Sequence, residues 1–149
     1  STNKFDFKNK HVLLSLGGNI NKIKFLPVVS ILLRLGYKIF ATNTTAEFFK
    51  KNGIICSSVR KAFEESPNAL DIVKNKKVAF VVNLSVENSE KNNGKIKRYM
   101  TDGFRIRRAT VDNQIPLFTD LHLARAFVKA LGNYKIEDLE IKSYREYLN

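Results

Sequence analysis

The chain has 149 residues, 44% of them hydrophobic, enough for one domain with a sizeable core. Its single cysteine excludes an internal disulfide framework, its two histidines sit in no ligand-spaced cluster, and no apolar stretch is long enough to cross a bilayer. A formal net charge of +12 admits nucleic acid, anionic membrane or phosphorylated small molecules, and because the lysines are scattered through stretches such as Lys74-Asn75-Lys76-Lys77, charge alone excludes none of them.

Val12-Leu13-Leu14-Ser15-Leu16 predicts a buried strand, ended by Gly17-Gly18-Asn19. From Lys22 or Lys24 to Leu35 the apolar residues are too dense for alternation, and Phe25, Leu26, Val29, Leu32 and Leu33 can share one helical face. Pro27 is tolerated in a first turn, so the helix is placed from Lys24, with Gly36 as its stop. Tyr37 to Ala41 predicts a second strand, Thr45 to Asn52 a second helix, and Ile54 to Val59 a third strand. Ser66-Pro67 reads as the start of a helix reaching about Asn75, with Ala69, Leu70, Ile72 and Val73 inward.

Val78 to Leu84 is apolar without alternation, which predicts a strand buried on both faces. Val86 to Lys97 is polar, contains Asn92-Asn93-Gly94, and is expected to be a mobile loop. Asp102 to Asn113 predicts a helix, and Ile115-Pro116-Leu117-Phe118 a short last strand. Asp120 caps a final helix with Leu121, Ala124, Phe127, Val128 and Leu131 inward and Gly132 as its stop. Strand and helix alternate five times, which implies an α/β fold: a five-stranded parallel sheet with helices on both faces. The domain is expected over residues 11–133, between polar flanks at 1–10 and 134–149.

In an open sheet of this kind ligands bind beyond the carboxyl ends of the strands. Strand one ends at Ser15, followed by Lys22 and Lys24; strand two runs into Thr42, Thr44 and Thr45. Strand three is followed by Arg60 and Lys61, and strand four ends at Asn83 and Ser85. These ends offer cations, hydroxyls and an amide with no carboxylate before Glu47, the chemistry of a crevice that holds an anion. The competing reading of the threonines is that Thr44 or Thr45 caps the second helix, and that of Arg107 and Arg108 is a salt-bridged helix face, with Arg108 and Asp112 at i,i+4.

Five segments in order carry a family resemblance: Leu13-Leu14-Ser15; Leu35-Gly36-Tyr37-Lys38-Ile39-Phe40-Ala41-Thr42-Asn43-Thr44-Thr45-Ala46; Val82-Asn83-Leu84-Ser85; Arg107-Arg108-Ala109-Thr110-Val111-Asp112; and Ile115-Pro116-Leu117. With the closing Ala126 to Leu131, the stretch from about residue 11 to 132 resembles the methylglyoxal-synthase-like domain, more narrowly the C-terminal allosteric domain of carbamoyl-phosphate synthetase, nearest in pattern to the glutamine-dependent pyrimidine-pathway enzymes of eukaryotes.

The resemblance implies a three-layer α/β/α domain that does not itself synthesise carbamoyl phosphate but binds an effector and biases the synthetase domains of the same polypeptide. It implies Thr42 and Thr45 on the effector's phosphate or carboxylate, Lys22 and Lys61 as basic ligand positions, Asn83 and Ser85 at the fourth strand end, and Ser15 at the first. An apparent insertion over Gly17 to Ile23 leaves Lys22 and Lys24 both open for the first of these roles. Asn43-Thr44 stands where many members carry a glycine before the second threonine, and the tryptophan of N-acetylglutamate-responsive members is absent, with Arg60 and Lys61 in its region. A phosphorylated effector is therefore expected, a uridine nucleotide (UTP or UMP) or phosphoribosyl pyrophosphate. No cofactor is implied in this domain, while the parent enzyme would use ATP and Mg.

Two other readings compete. A stand-alone methylglyoxal-synthase-type lyase acting on a triose phosphate needs a base beside the phosphate, and the strand ends supply none in sequence. A basic nucleic-acid-binding domain would expose stacking aromatics, whereas Phe25, Phe80 and Phe127 lie in apolar contexts. Neither nucleic acid nor a membrane is expected as a partner. Ser1 to Lys8 lacks a signal-peptide h-region and Cys56 stands alone, so a cytoplasmic protein is expected.

Overall fold

The computed structural model describes residues 5–86 and 102–134. The expected mobile loop over 86–97 and most of the C-terminal flank lie outside these residues, apart from Val86 and Tyr134. Ten elements alternate along the chain: β1 (His11–Leu16), α1 (Asn19–Arg34), β2 (Lys38–Thr42), α2 (Asn43–Lys51), β3 (Ser57–Val59), α3 (Ala69–Lys74), β4 (Phe80–Leu84), α4 (Asp102–Asp112), β5 (Leu117–Phe118) and α5 (Leu121–Asn133). The strands form one parallel sheet in the order β3-β2-β1-β4-β5.

Two apolar clusters separate the layers. Val12, Leu14, Leu16, Phe80, Val82 and Leu84 point to the side covered by α1, α5 and α2, where Phe25, Phe49 and Val128 meet them. Leu13 and Val81 point the other way, to Ile72 and Val73 of α3 and Ile106 and Ala109 of α4. Alternation of side chains along a strand makes this division, and burial on both sides is why β1 and β4 read as unbroken apolar runs. Chain order reverses beside β1, since β2 lies on one flank and β4 on the other. Ser15 and Asn83 are register partners at that switch point.

Several boundaries differ from expectation, each for a local reason. The helix expected from Lys24 starts at Asn19, so the supposed inserted loop shrinks to Gly17-Gly18, and Gly18 makes the turn at φ 78°, open to glycine without strain. Pro27 therefore lies well inside α1. It is exposed on the same side as Ile23, so the carbonyl that loses its amide partner can be hydrated. Leu33, expected inward, is 40% exposed, and Val28 takes its place in the core.

The third strand forms only at Ser57–Val59, and α3 starts after Pro67, with Asn68 and Asp71 closing a reciprocal capping box. Gly132 does not stop α5 but lies within it. The N-terminal flank docks on the domain through Phe5, which packs on Phe80 and Phe127 with ring centroids 5.9 and 5.4 Å away. Among the described residues no helix is long and apolar enough to cross a membrane, and no three His, Cys, Asp or Glu side chains group as metal ligands.

Candidate functional site

β2 ends at Thr42 and α2 begins at Asn43, with no residue between them. Thr42 stands at the N-cap in an extended conformation, yet its side chain makes no capping bond. Its hydroxyl instead donates to Ser15 Oγ at 3.2 Å, joining the ends of β2 and β1. No acidic residue lies in the first turn of α2, so the amides there face no carboxylate within their own turn. Thr45 is wholly buried. Its Oγ1 accepts the Leu16 N–H at 2.9 Å and locks α2 onto β1. Thr44 is exposed and makes no side-chain hydrogen bond among the described residues, while the neighbouring Asn43 Oδ1 accepts from Ser58 Oγ at 3.3 Å.

On the other flank of β1, Asn83 is 2% exposed and its Oδ1 accepts from Arg107 Nη1 at 2.7 Å. Arg107 was expected on a solvated, salt-bridged face. Instead it turns to the end of β4, while its neighbour Arg108 makes the anticipated pair with Asp112 at 3.9 Å. A residue placed 100° further round the helix meets a different surface, which explains the split.

The expectation that no carboxylate stands at these strand ends also needs correction. Asp102, in the first turn of α4, accepts the backbone N–H of Ala62 just beyond β3. Burial pushes its carboxyl above the ordinary carboxylate value, against the opposing pull of the Ala62 amide and then of Lys61. Nothing in the local sequence pointed to this residue, because its partner lies 40 positions upstream.

Thus Thr42, Ser15 and Asn83 form a polar rim at the ends of β2, β1 and β4, joined by Arg107, while Asp102 reaches the Lys61–Ala62 segment beyond β3. Four predicted residues take no part in these bonds, the buried Thr45 among them. Lys22 lies on the inner side of α1, in the layer that also holds α2; it is 6% exposed, and burial lowers its pKa. Lys24 is exposed, so of the two lysines only Lys22 turns inward. Ser85 is exposed, and its carbonyl lies 3.4 Å from Asn21 Nδ2 in an open cleft of ≈ 630 Å³ between the first turns of α1 and α5. Thr44 faces solvent beside the rim.

A model of the MGS-like domain family matches residues 24–119. A carbamoyl phosphate synthase large chain of Clostridium botulinum is 38% identical over 141 residues, 93% of this chain and 12% of that protein. Multifunctional protein CAD of Squalus acanthias is 32% identical over 137 residues, 85% of this chain and 6% of that protein. Multifunctional protein pyr1-3 of Dictyostelium discoideum is 32% identical over 134 residues, 88% of this chain and 6% of that protein. The chain therefore spans 12% or less of the length of these relatives. Of the three, the bacterial one is the more similar, against the expected leaning toward eukaryotic enzymes.

Proposed function

The chain belongs to the MGS-like domain family, and from that premise we propose that it is the regulatory domain of a carbamoyl phosphate synthase serving pyrimidine biosynthesis, which binds a phosphorylated effector where its parallel strands end. One observation carries this reading: the Thr42 and Ser15 hydroxyls meet at the ends of adjacent strands, directly ahead of an uncapped helix N-terminus. The Asn83–Arg107 pair lies on the other flank of β1, and Lys61, whose charge acts on Asp102, is taken as the cation of the site. Such a site gives an anion hydroxyl and amide donors with a cation at hand and asks for no metal.

The effector is a uridine nucleotide or phosphoribosyl pyrophosphate. It acts by its differential affinity for two states of the longer protein, whose synthetase domains carry the ATP- and Mg-dependent chemistry. Free Cys56 fits a reducing cytoplasm.

Titration calorimetry with UMP, UTP and phosphoribosyl pyrophosphate tests the assignment. At least one binds, and Thr42→Ala and Lys61→Ala each weaken it by about tenfold or more, as expected for hydrogen bonds to a charged group. Unchanged affinity in both variants removes the assignment. A lyase reading draws its only support from Asp102, the carboxylate at this rim. Methylglyoxal release from dihydroxyacetone phosphate, abolished by Asp102→Asn, would favour it.

A further inference from the structure

Asp102 and Gly103 place the first turn of α4 between two strand ends. On one side, a side chain at Gly103 would bring its Cβ to 3.0 Å from Arg107 Nη1 and 3.3 Å from Asn83 Oδ1, so a larger residue in this turn would press on the Arg107–Asn83 pair at the end of β4. On the other side, the Asp102 carboxylate reaches the Ala62 N–H beyond β3. The peptide group that carries this N–H is the one joining Lys61 to Ala62, and its carbonyl accepts the Glu64 N–H at 3.0 Å. Both edges of that peptide plane are therefore held, and with it the Cα of Lys61.

Resting on the reading of the rim as an anion site, we infer that Asp102 is a positioning residue: it latches the Lys61–Ala62 peptide to α4 and so sets where the Lys61 ammonium stands relative to Asn83 and Thr42. A carboxylate beside an anion site is otherwise a liability, since it repels the ligand and competes for the lysine. Its placement is explained by the bond it makes, because a buried amide left without a partner is costly and the turn would relax to find one.

The two possible roles of Asp102 give opposite signs. Were it only a negative charge near the site, Asp102→Ala and Asp102→Asn would both tighten anion binding. As a latch, Asp102→Asn keeps an oxygen acceptor for the Ala62 amide and sheds the repulsion, whereas Asp102→Ala loses the bond.

The test uses inorganic pyrophosphate as the calorimetric probe and amide exchange of Ala62 by NMR, on the wild-type chain and variants with melting curves recorded. The expected result is an Ala62 amide protected in wild type and Asp102→Asn but exposed in Asp102→Ala. Pyrophosphate affinity falls about three- to tenfold in Asp102→Ala, the range of one hydrogen bond, and holds or rises in Asp102→Asn. In a Lys61→Ala background Asp102→Ala brings no further loss, because a residue acting through Lys61 has nothing left to position.

Protection of Ala62 unchanged in Asp102→Ala overturns the latch. So does loss of protection with no loss of affinity, or a full additive loss in the Lys61→Ala background. If Asp102→Ala does not fold, Asp102→Asn alone decides: lost Ala62 protection or weakened pyrophosphate binding in that variant overturns the latch. Wild-type chain that binds no pyrophosphate sinks the anion-site reading instead, and the Ala62 exchange data then decide the latch by themselves.

Discussion

Two threonines three residues apart have exchanged the roles that a motif reader would give them equally. Thr45 donates nothing to the rim; it satisfies the buried Leu16 amide. Thr45→Val keeps the shape and leaves that amide without a partner, at a cost of about 1–3 kcal/mol. Thr42→Val loses a 3.2 Å bond between the buried Thr42 hydroxyl and the half-buried Ser15 hydroxyl, at a cost of about 1 kcal/mol. Urea unfolding should rank the variants in that order, and effector titration in the reverse order. Equal ranking in both experiments would show that Thr45 also serves the ligand directly.

Asp102 adds a pH signature. Its folded pKa is raised above the unfolded value of 3.8, with burial as the chief cause. The folded state therefore binds the proton more tightly, and stability declines as pH rises from 3.8 through the raised value. Asp102→Asn removes this decline, so the stability of the variant relative to wild type should grow across that window in melting curves taken at stepped pH. A constant difference contradicts the assigned direction.

At the scale of elements, Gly132 is where α5 touches α1. A Cβ built there would lie 2.6 Å from Ile31 Cγ2, a branched methyl with little room to turn away. Gly132→Ala gains at most about 1 kcal/mol of helix propensity, less so near a helix end, and forces overpacking that costs about 1–3 kcal/mol. Net destabilisation is expected by chemical denaturation. Combining it with Ile31→Ala makes the Gly132 substitution neutral or favourable, since the obstructing methyl is gone.

The same glycine marks the limit of legibility. Read locally, glycine at the end of an amphipathic run is a helix stop; in the fold it is a packing site, and only the position of α1 reveals this. Pro27 is a second such case, because a proline inside a helix is better tolerated where its orphaned carbonyl can be hydrated. β1 and β4 were readable because burial on both faces leaves apolar runs, and the Thr42 joint because strand pattern gives way to helix pattern within two residues; β3, Ser57–Val59 and largely exposed, was readable only at its last residues. Asp102 and Arg107 were not readable. Their roles depend on a turn 40 residues away and on which side of α4 meets β4.

For the molecule as a whole, the net charge of +12 is a rival explanation for any anion that binds. A field is spread over the surface and fades with salt, whereas a built rim depends on particular side chains. Lys76 and Lys77 separate the two. They are exposed and precede β4, at the strand end opposite Asn83, up to roughly 20 Å from it by strand rise, or about two Debye lengths at 0.1 M salt. Replacing both by glutamine removes twice the charge that Lys61→Ala removes. With calorimetry of the bound nucleotide at 0.15 M salt, the double variant should hold its affinity within about twofold while Lys61→Ala loses about tenfold. A nucleic-acid-binding surface predicts the reverse weighting, with loss set by the number of charges removed and affinity falling steeply between 0.05 and about 0.2 M salt. Should the distant pair weaken binding as much as Lys61 does, the anion is held by the field of the chain, and the rim at the strand ends is not its site.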